Sequence, residues 1–237
     1  MATPDGPVEA KIDSTRSHFI LVVGRKGSGK SLLSHRLFVS YPYDKLVIDP
    51  HADTRKGAYF VDAKELEAPL PTRLIPWRDD DERGPNVWRF VPDHRSDTLV
   101  DDLDRAVGLA YLRRRMCVWV DEIGDVAGAN RTGPFMREAL HKGRHRQLTM
   151  IMAGPRPITV DPLVVSQADY AYVFDLPNPR DRRRVADNIG WDPKEFDRAV
   201  AGLPLHGYLR YDARAHELVS FPPLPIRAPR GASTKAT

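Results

Sequence analysis

The apolar positions of the chain fall into short solid runs separated by stretches with helical spacing. Residues 19–23 are continuously apolar and rich in β-branched side chains, the pattern of a strand covered on both faces. Gly24 ends that run, and Leu32, Leu33, Leu37 and Phe38 then recur at helical intervals over residues 31–40. The order is strand, glycine loop, helix. Further solid runs at 46–48, 117–120, 148–153 and 170–174 predict more buried strands. Leu99, Leu103, Val107 and Ala110 predict a helix over 97–115 with Ser96 as its cap. Residues 135–141, 180–189 and 193–201 also read as helices, while 207–211 and 217–221 read as a hairpin. Between Asp49 and Asp97 the pattern is broken by Pro69, Pro71, Pro76 and Pro85, with short strands expected at 58–61, 73–77 and 87–91. Strands alternating with helices make an α/β protein with a doubly wound, mostly parallel sheet and a C-terminal hairpin. Residues 1–17 are polar and read as a flexible arm, 18–221 as the domain, and 222–237 as a Pro-rich basic tail.

Composition narrows the class. The 237 residues are 41% hydrophobic and 29% charged, near the globular norm, which excludes wholesale disorder. No apolar stretch approaches the roughly 18 residues of a membrane span, and residues 1–16 lack the apolar centre of a signal peptide. Neither membrane insertion nor export is therefore expected, and the chain should act in the cytoplasm. Its one cysteine, Cys117, sits in an apolar run and reads as core packing. Of the 36 basic residues, 27 are arginine, the cation suited to phosphate. Six of them or lysine stand between Arg131 and Arg156 against the single acid Glu138. Such segregation is compatible with a phosphate-facing edge, although a solvated face explains any one cluster equally well.

The chemistry is concentrated in two segments. Gly24-Arg25-Lys26-Gly27-Ser28-Gly29-Lys30-Ser31 matches G-x-x-x-x-G-K-[ST] and lies between the first strand and the first helix. Glycines let backbone N–H groups turn inward around phosphates, the helix N-terminus adds its dipole, Lys30 reaches the β- and γ-phosphates, and Ser31 ligates Mg²⁺. The strand at 117–120 ends in Asp121-Glu122. Downstream of a phosphate loop, that pair reads as one carboxylate for Mg²⁺, Asp121, and one general base for the attacking water, Glu122. A GTP-specific switch would not need that glutamate, and no N-K-x-D guanine-reading motif is present.

With those segments in place the chain resembles the HerA/FtsK class of P-loop ATPases, ring-forming DNA pumps that include viral packaging ATPases. The resemblance is carried by the phosphate loop, by Val47-Ile48-Asp49-Pro50-His51, by Asp121-Glu122, and by a run from Gly143-Arg144-His145 through Pro155-Arg156-Pro157 to Asn178-Pro179-Arg180-Asp181. It covers about residues 18–221. It implies a P-loop NTPase fold of the RecA/FtsK-like type, hydrolysis of ATP with Mg²⁺, double-stranded DNA as the track, and a homo-oligomeric ring such as a hexamer. Being small, the chain is expected to be a viral genome-packaging motor working in the host cytoplasm or on the virion beside a capsid or portal-like component. Arg144 is implied as a finger reaching a neighbouring subunit's γ-phosphate, with Arg146 as the fallback and Arg156 as a sensor. One departure stands out: Pro155 occupies the place of the family's sensor glutamine, so either Arg156 or Gln167 substitutes for it or the coupling between nucleotide state and movement is altered.

Two other classes remain open at this level. A P-loop kinase would need a mobile lid, which residues 180–184 could imitate. A non-motor assembly protein of the Zot type would usually carry a transmembrane segment. His51 and His145 lack neighbours at metal-ligand spacing, and Trp77, Trp88, Trp119 and Trp191 read as packing residues.

Overall fold

The computed structural model describes residues 12–13, 15–51, 87–92, 97–129 and 131–225. The short strands expected at 58–61 and 73–77, the cap Ser96 and most of the two terminal segments lie outside the described residues. Eight strands form the main sheet: β1 (Phe19–Val23), β2 (Lys45–Ile48), β3 (Val87–Phe90), β4 (Cys117–Val120), β7 (Thr149–Gly154), β8 (Tyr170–Val173), β9 (Tyr208–Asp212) and β10 (Glu217–Phe221). Their order across the sheet is β10-β9-β8-β1-β7-β4-β2-β3. From β8 to β3 every pairing is parallel, and the hairpin of β9 and β10 joins β8 antiparallel. A small hairpin, β5 (Ala127–Gly128) with β6 (Arg131–Thr132), stands apart.

The solid apolar run of β1 has a direct physical cause. Phe19, Leu21 and Val23 join the core on one face of the sheet, and Ile20 and Val22 join the core on the other. Alternation around a pleat with both faces covered leaves no position for a polar side chain. The second face is covered by α1 (Lys30–Ser40) through Leu33, Leu37 and Phe38. The first face is covered by α2 (Leu99–Arg113), the short α3 (Ile123–Val126), α4 (Pro134–Lys142), α5 (Pro162–Ser166), α6 (Pro179–Ile189) and α7 (Pro193–Ala201). At about 1.5 to 3 kcal/mol per fully buried aliphatic or aromatic side chain, these two cores dominate folding.

The limits of one helix are corrected. The helix expected over 97–115 runs only from Leu99 to Arg113, with Thr98 at its N-cap making no side-chain capping bond. Arg114 and Arg115 leave it with positive φ. The arm is anchored where it is described: Ile12 is buried in the core beside α1, and its N–H donates to Ser40 Oγ at 3.1 Å. The start of the tail is likewise docked, since Leu224 is buried and Arg36 donates to the Pro225 carbonyl. Cys117 is fully buried, and burial pushes its thiol well above the ordinary range, which makes it a packing residue.

Asp104 shows how helices remote in sequence are fastened. It is buried on α2, and its carboxylate accepts the N–H groups of Phe135 at 3.1 Å and Met136 at 2.7 Å, in the first turn of α4. A negative charge there also meets the positive end of the helix dipole. Asp104→Ala is expected to destabilise the fold by about 2 to 4 kcal/mol, because two donors at a buried helix end lose their acceptor. Asp104→Asn, which keeps one acceptor oxygen, should lose about half as much. Urea unfolding monitored by tryptophan fluorescence measures both.

Candidate active site

The phosphate loop begins where β1 ends, at the carboxyl edge of the parallel sheet. Gly24 has φ 151°, and a Cβ there would lie 2.6 Å from the Phe174 Cβ. Gly29 has φ 111°, with the Phe174 ring 3.1 Å from where its Cβ would be. Only glycine fits such a backbone so close to another chain segment. The loop is pinned by the Arg25 N–H donating to the Asp175 carbonyl at 2.9 Å and by Ser28 N–H donating to the Arg25 carbonyl at 3.2 Å. The Arg25 guanidinium pairs with Asp175 at 2.7 Å, so its side chain braces the loop from outside. Lys26 and Gly27 form the exposed tip, and Ser31 is exposed in the first turn of α1.

This loop is built for an anion. Gly29 at the N-cap of α1 offers no capping side chain, and no acid stands in the first turn. The N–H groups at the start of the helix therefore have no capping side chain as acceptor. The Ser28 hydroxyl is buried without a hydrogen-bond partner among the described residues. Lys30 Nζ donates to the Arg25 carbonyl at 2.9 Å, folded over the loop it would otherwise serve.

Asp121 and Glu122 face this loop from the end of β4. They are not on the neighbouring strand, because β7 lies between β1 and β4. Two interstrand steps of about 4.8 Å leave room at the carboxyl edge for a phosphate and a water. Burial lowers the Lys30 pKa, and Glu122 and then Asp121 oppose that shift, which places the three groups in one field. Burial raises the Glu122 pKa, with Asp125 and Asp121 adding to it while His51 and Lys30 hold it back. Glu122 also has φ 70° and ψ 63°, a left-handed conformation. For a glutamate this costs about 1 to 2 kcal/mol. Strain of that kind marks a position where side-chain direction matters more than local comfort.

Several supports of this site had no role assigned from the sequence. Gly154 ends β7 where a Cβ would lie 3.1 Å from Ile123 Cγ2 and 3.8 Å from Glu122 Oε1. His51 Nε2 is 3.1 Å from Asp125 Oδ2, one turn beyond Glu122. Asp49 is fully buried and accepts from Arg89 at 2.5 and 3.1 Å, tying the end of β2 to β3. The signal for Arg89 was available as a lone charge inside the strand Val-Trp-Arg-Phe.

Arg144 is not near this chain's phosphate loop. It follows α4 in a 3-10 turn (Gly143–Arg146) at the amino edge of the sheet, one strand length of about 16 Å away. There it donates to the Gln167 carbonyl at 2.7 Å and Oε1 at 3.3 Å, pairs with Asp169 at 3.2 Å, and stacks 4.3 Å from the Phe19 ring. The expected poised side chain is thus bound within its own chain. Arg146 lies over Tyr111, 5.1 Å away. Gln167, held by Arg144, is also at the wrong edge to replace the sensor glutamine. Arg156 is at the right edge, just past β7, and its Nε is 3.7 Å from Asp181. Asp181 is buried and accepts the Ile158 N–H at 3.1 Å, while Asn178 caps α6 by accepting from Arg180 N–H. The Asn-Pro-x-Asp segment thereby holds the loop that carries Pro155 and Arg156.

Comparison with known proteins follows the same lines. The chain is 27% identical over 214 residues to the DNA packaging ATPase of Enterobacteria phage PRD1, spanning 87% of both chains. Its fold matches the genome packaging NTPase of Sulfolobus turreted icosahedral virus 2, solved with ATP-gammaS. The TM-score is 0.70 at 20% identity, over 90% of this chain and all of that one. It also matches the DNA-packaging ATPase of Sulfolobus turreted icosahedral virus, with TM-score 0.65 at 19% identity over 88% and 98%. No family model matches the chain.

The contacts of Arg144 generate a prediction. Arg144→Ala should lower stability by about 1 to 2 kcal/mol in urea unfolding, from loss of the ion pair and the ring contact. Unchanged stability with lost ATP hydrolysis, recovered by mixing with Glu122→Gln chains, would return Arg144 to a neighbour's active site. By sequence the chain is a relative of a phage DNA packaging ATPase, and by fold it is a P-loop α/β domain of the kind found in viral genome-packaging NTPases.

Proposed function

We propose that the chain hydrolyses ATP to move double-stranded DNA, as the motor of a viral genome-packaging machine. The observation that supports this most is the pairing of an anion-ready phosphate loop with a strained, partly buried glutamate across β7. A small-molecule kinase would need an acceptor pocket and a mobile lid as well as a base, whereas Asp121-Glu122 beside the Asp49-Pro50-His51 segment suits a hydrolase. The relationship to a phage DNA packaging ATPase points to DNA as the track.

In this mechanism Lys30 leaves the Arg25 carbonyl and binds the β- and γ-phosphate oxygens, with the N–H groups of Gly29 through Ser31 around them. Ser31 and Asp121 would hold Mg²⁺, which neutralises charge on the phosphates. Glu122 takes the proton as a water oxygen attacks the γ-phosphorus and the bond to ADP breaks. Arg156 reports the state of that phosphate through the Asp181-held loop. The working form is a ring of identical chains, acting with a capsid or portal-like component. It works in the host cytoplasm or on the virion. No helix among the described residues is long and apolar enough to cross a membrane.

DNA is gripped through its phosphates without reading sequence. Within the basic stretch, Lys142 pairs with Glu138 and Arg144 and Arg146 are occupied as described. Arg131 and Arg137 are exposed and are the contacts we assign. Arg227, Arg230 and Lys235 of the tail, also candidates, lie outside the described residues.

Lys30→Ala should abolish phosphate release, and Glu122→Gln should still bind ATP while hydrolysis falls by about 10²-fold or more. A Glu122→Gln protein hydrolysing at the wild-type rate would remove the assigned base. Duplex DNA should stimulate phosphate release, and binding should weaken steeply between about 50 and 200 mM salt, whatever the sequence. Salt-independent affinity, or preference for one short sequence, would exclude a backbone-gripping motor.

A further inference from the structure

The loop between α7 and β9 reaches the phosphate loop with a side chain that no motif announces. His206 Nδ1 lies 3.3 Å from the Ser28 carbonyl oxygen. A carbonyl only accepts, so the imidazole carries its proton on Nδ1 in this contact. His206 has φ 62°, the left-handed region, which a non-glycine residue adopts at a cost. The Gly207 N–H, donating to the Pro204 carbonyl at 2.8 Å, closes the turn that presents the ring. Leu205 beside it is 70% exposed, the most exposed large apolar side chain among the described residues. Leu32, in the first turn of α1, is 38% exposed. Isolated exposed leucines are ordinary, but one of these stands in the first turn of the helix that follows the phosphate loop and the other is next in the chain to the histidine that touches it, which suits an apolar part of its ligand.

The polar chemistry fixes which way a nucleotide would run. Glu122 and Asp121 act on Lys30 from the β7 and β4 flank, so the terminal phosphate belongs on that side. The remainder of the molecule must leave toward the other flank of β1, where β8 ends and β9 begins. On that flank Phe174 lies against Gly29 and packs on Tyr208, with ring centroids 5.2 Å apart, and His206 stands two residues before Tyr208. We propose that His206 and Leu205, together with Leu32, form the wall that receives the nucleoside. The imidazole edge is fixed by Ser28, which leaves its face for the base, and the leucines cover the sugar and base edges. This assignment rests on the ATPase function proposed above and adds to it the part of the site that distinguishes a nucleotide from bare polyphosphate.

The test compares ATP with inorganic tripolyphosphate, which has the phosphates and lacks the nucleoside. Both are titrated with Mg²⁺ into the full chain by calorimetry. His206→Asn tolerates the left-handed backbone and keeps an N–H donor for Ser28 while removing the ring. Its dissociation constant for ATP should rise about five- to tenfold, the scale of one lost aromatic contact, with tripolyphosphate changing less than about twofold. Leu205→Ser, at a largely exposed position, should show the same split. If ATP and tripolyphosphate weaken together, His206 only holds the phosphate loop in shape and the nucleoside wall is overturned. If neither variant changes ATP affinity, it is overturned as well. A wild-type chain that binds neither ligand would overturn the ATPase reading itself, a result separable from the first two.

Discussion

Strands β1 and β4, far apart in the chain, are held about 10 Å apart because β7 pairs in parallel register with both. Val23 is opposite Gly154, and Val120 is opposite Met152, so all three strands finish at one edge. The phosphate loop leaves the first of these ends and the two acids leave the last. Hydrogen bonding along fully buried strands admits no sliding, since a one-residue slip would turn each core face toward the wrong layer. The separation between Lys30 and Glu122 is therefore a property of the sheet rather than of either loop.

Around this frame, buried carboxylates act as fasteners between elements that the sequence separates. Asp49 holds Arg89, Asp104 holds the start of α4, and Asp181 holds the segment after β7. A buried acid without partners would be costly, so each is satisfied by arginine or by backbone N–H groups. Two of the three stand at the edge where the chemistry is placed. Asp49 and Asp181 bracket the site from β2 and from α6, which gives the segments carrying His51 and Arg156 fixed origins. The strain at Glu122 is sustained within the same frame, where Ile123 and Val126 are fully buried just beyond it.

The opposite edge has its own organisation. Arg144 joins Gln167, Asp169 and Phe19, and Asp169 also accepts the Phe19 N–H at 2.7 Å. The start of β1 is thus locked at the amino edge while its end opens into the phosphate loop. Within its own chain Arg144 is part of the mounting for the strand that carries the phosphate loop.

What the sequence determined by itself was whatever depends on neighbours along the chain. Strand β1 is legible because burial on both faces forbids polar residues, the phosphate loop because its glycines and Lys30 act within one turn, and the acid pair because it directly follows a strand. Helix limits were less legible: Leu99 begins α2 two residues later than its spacing suggested, because capping competes with tertiary packing. Only the tertiary structure decided which edge each residue occupies. Arg144 and Gln167 sit in the same stretch of motifs as Arg156, yet the first two precede strands and the third follows one. Parallel strands send those positions to opposite edges of the sheet. His206 was illegible for a related reason, since its partner Ser28 is brought to it by the pairing of β8 with β1 and β9, and no local pattern records a contact made through the order of strands.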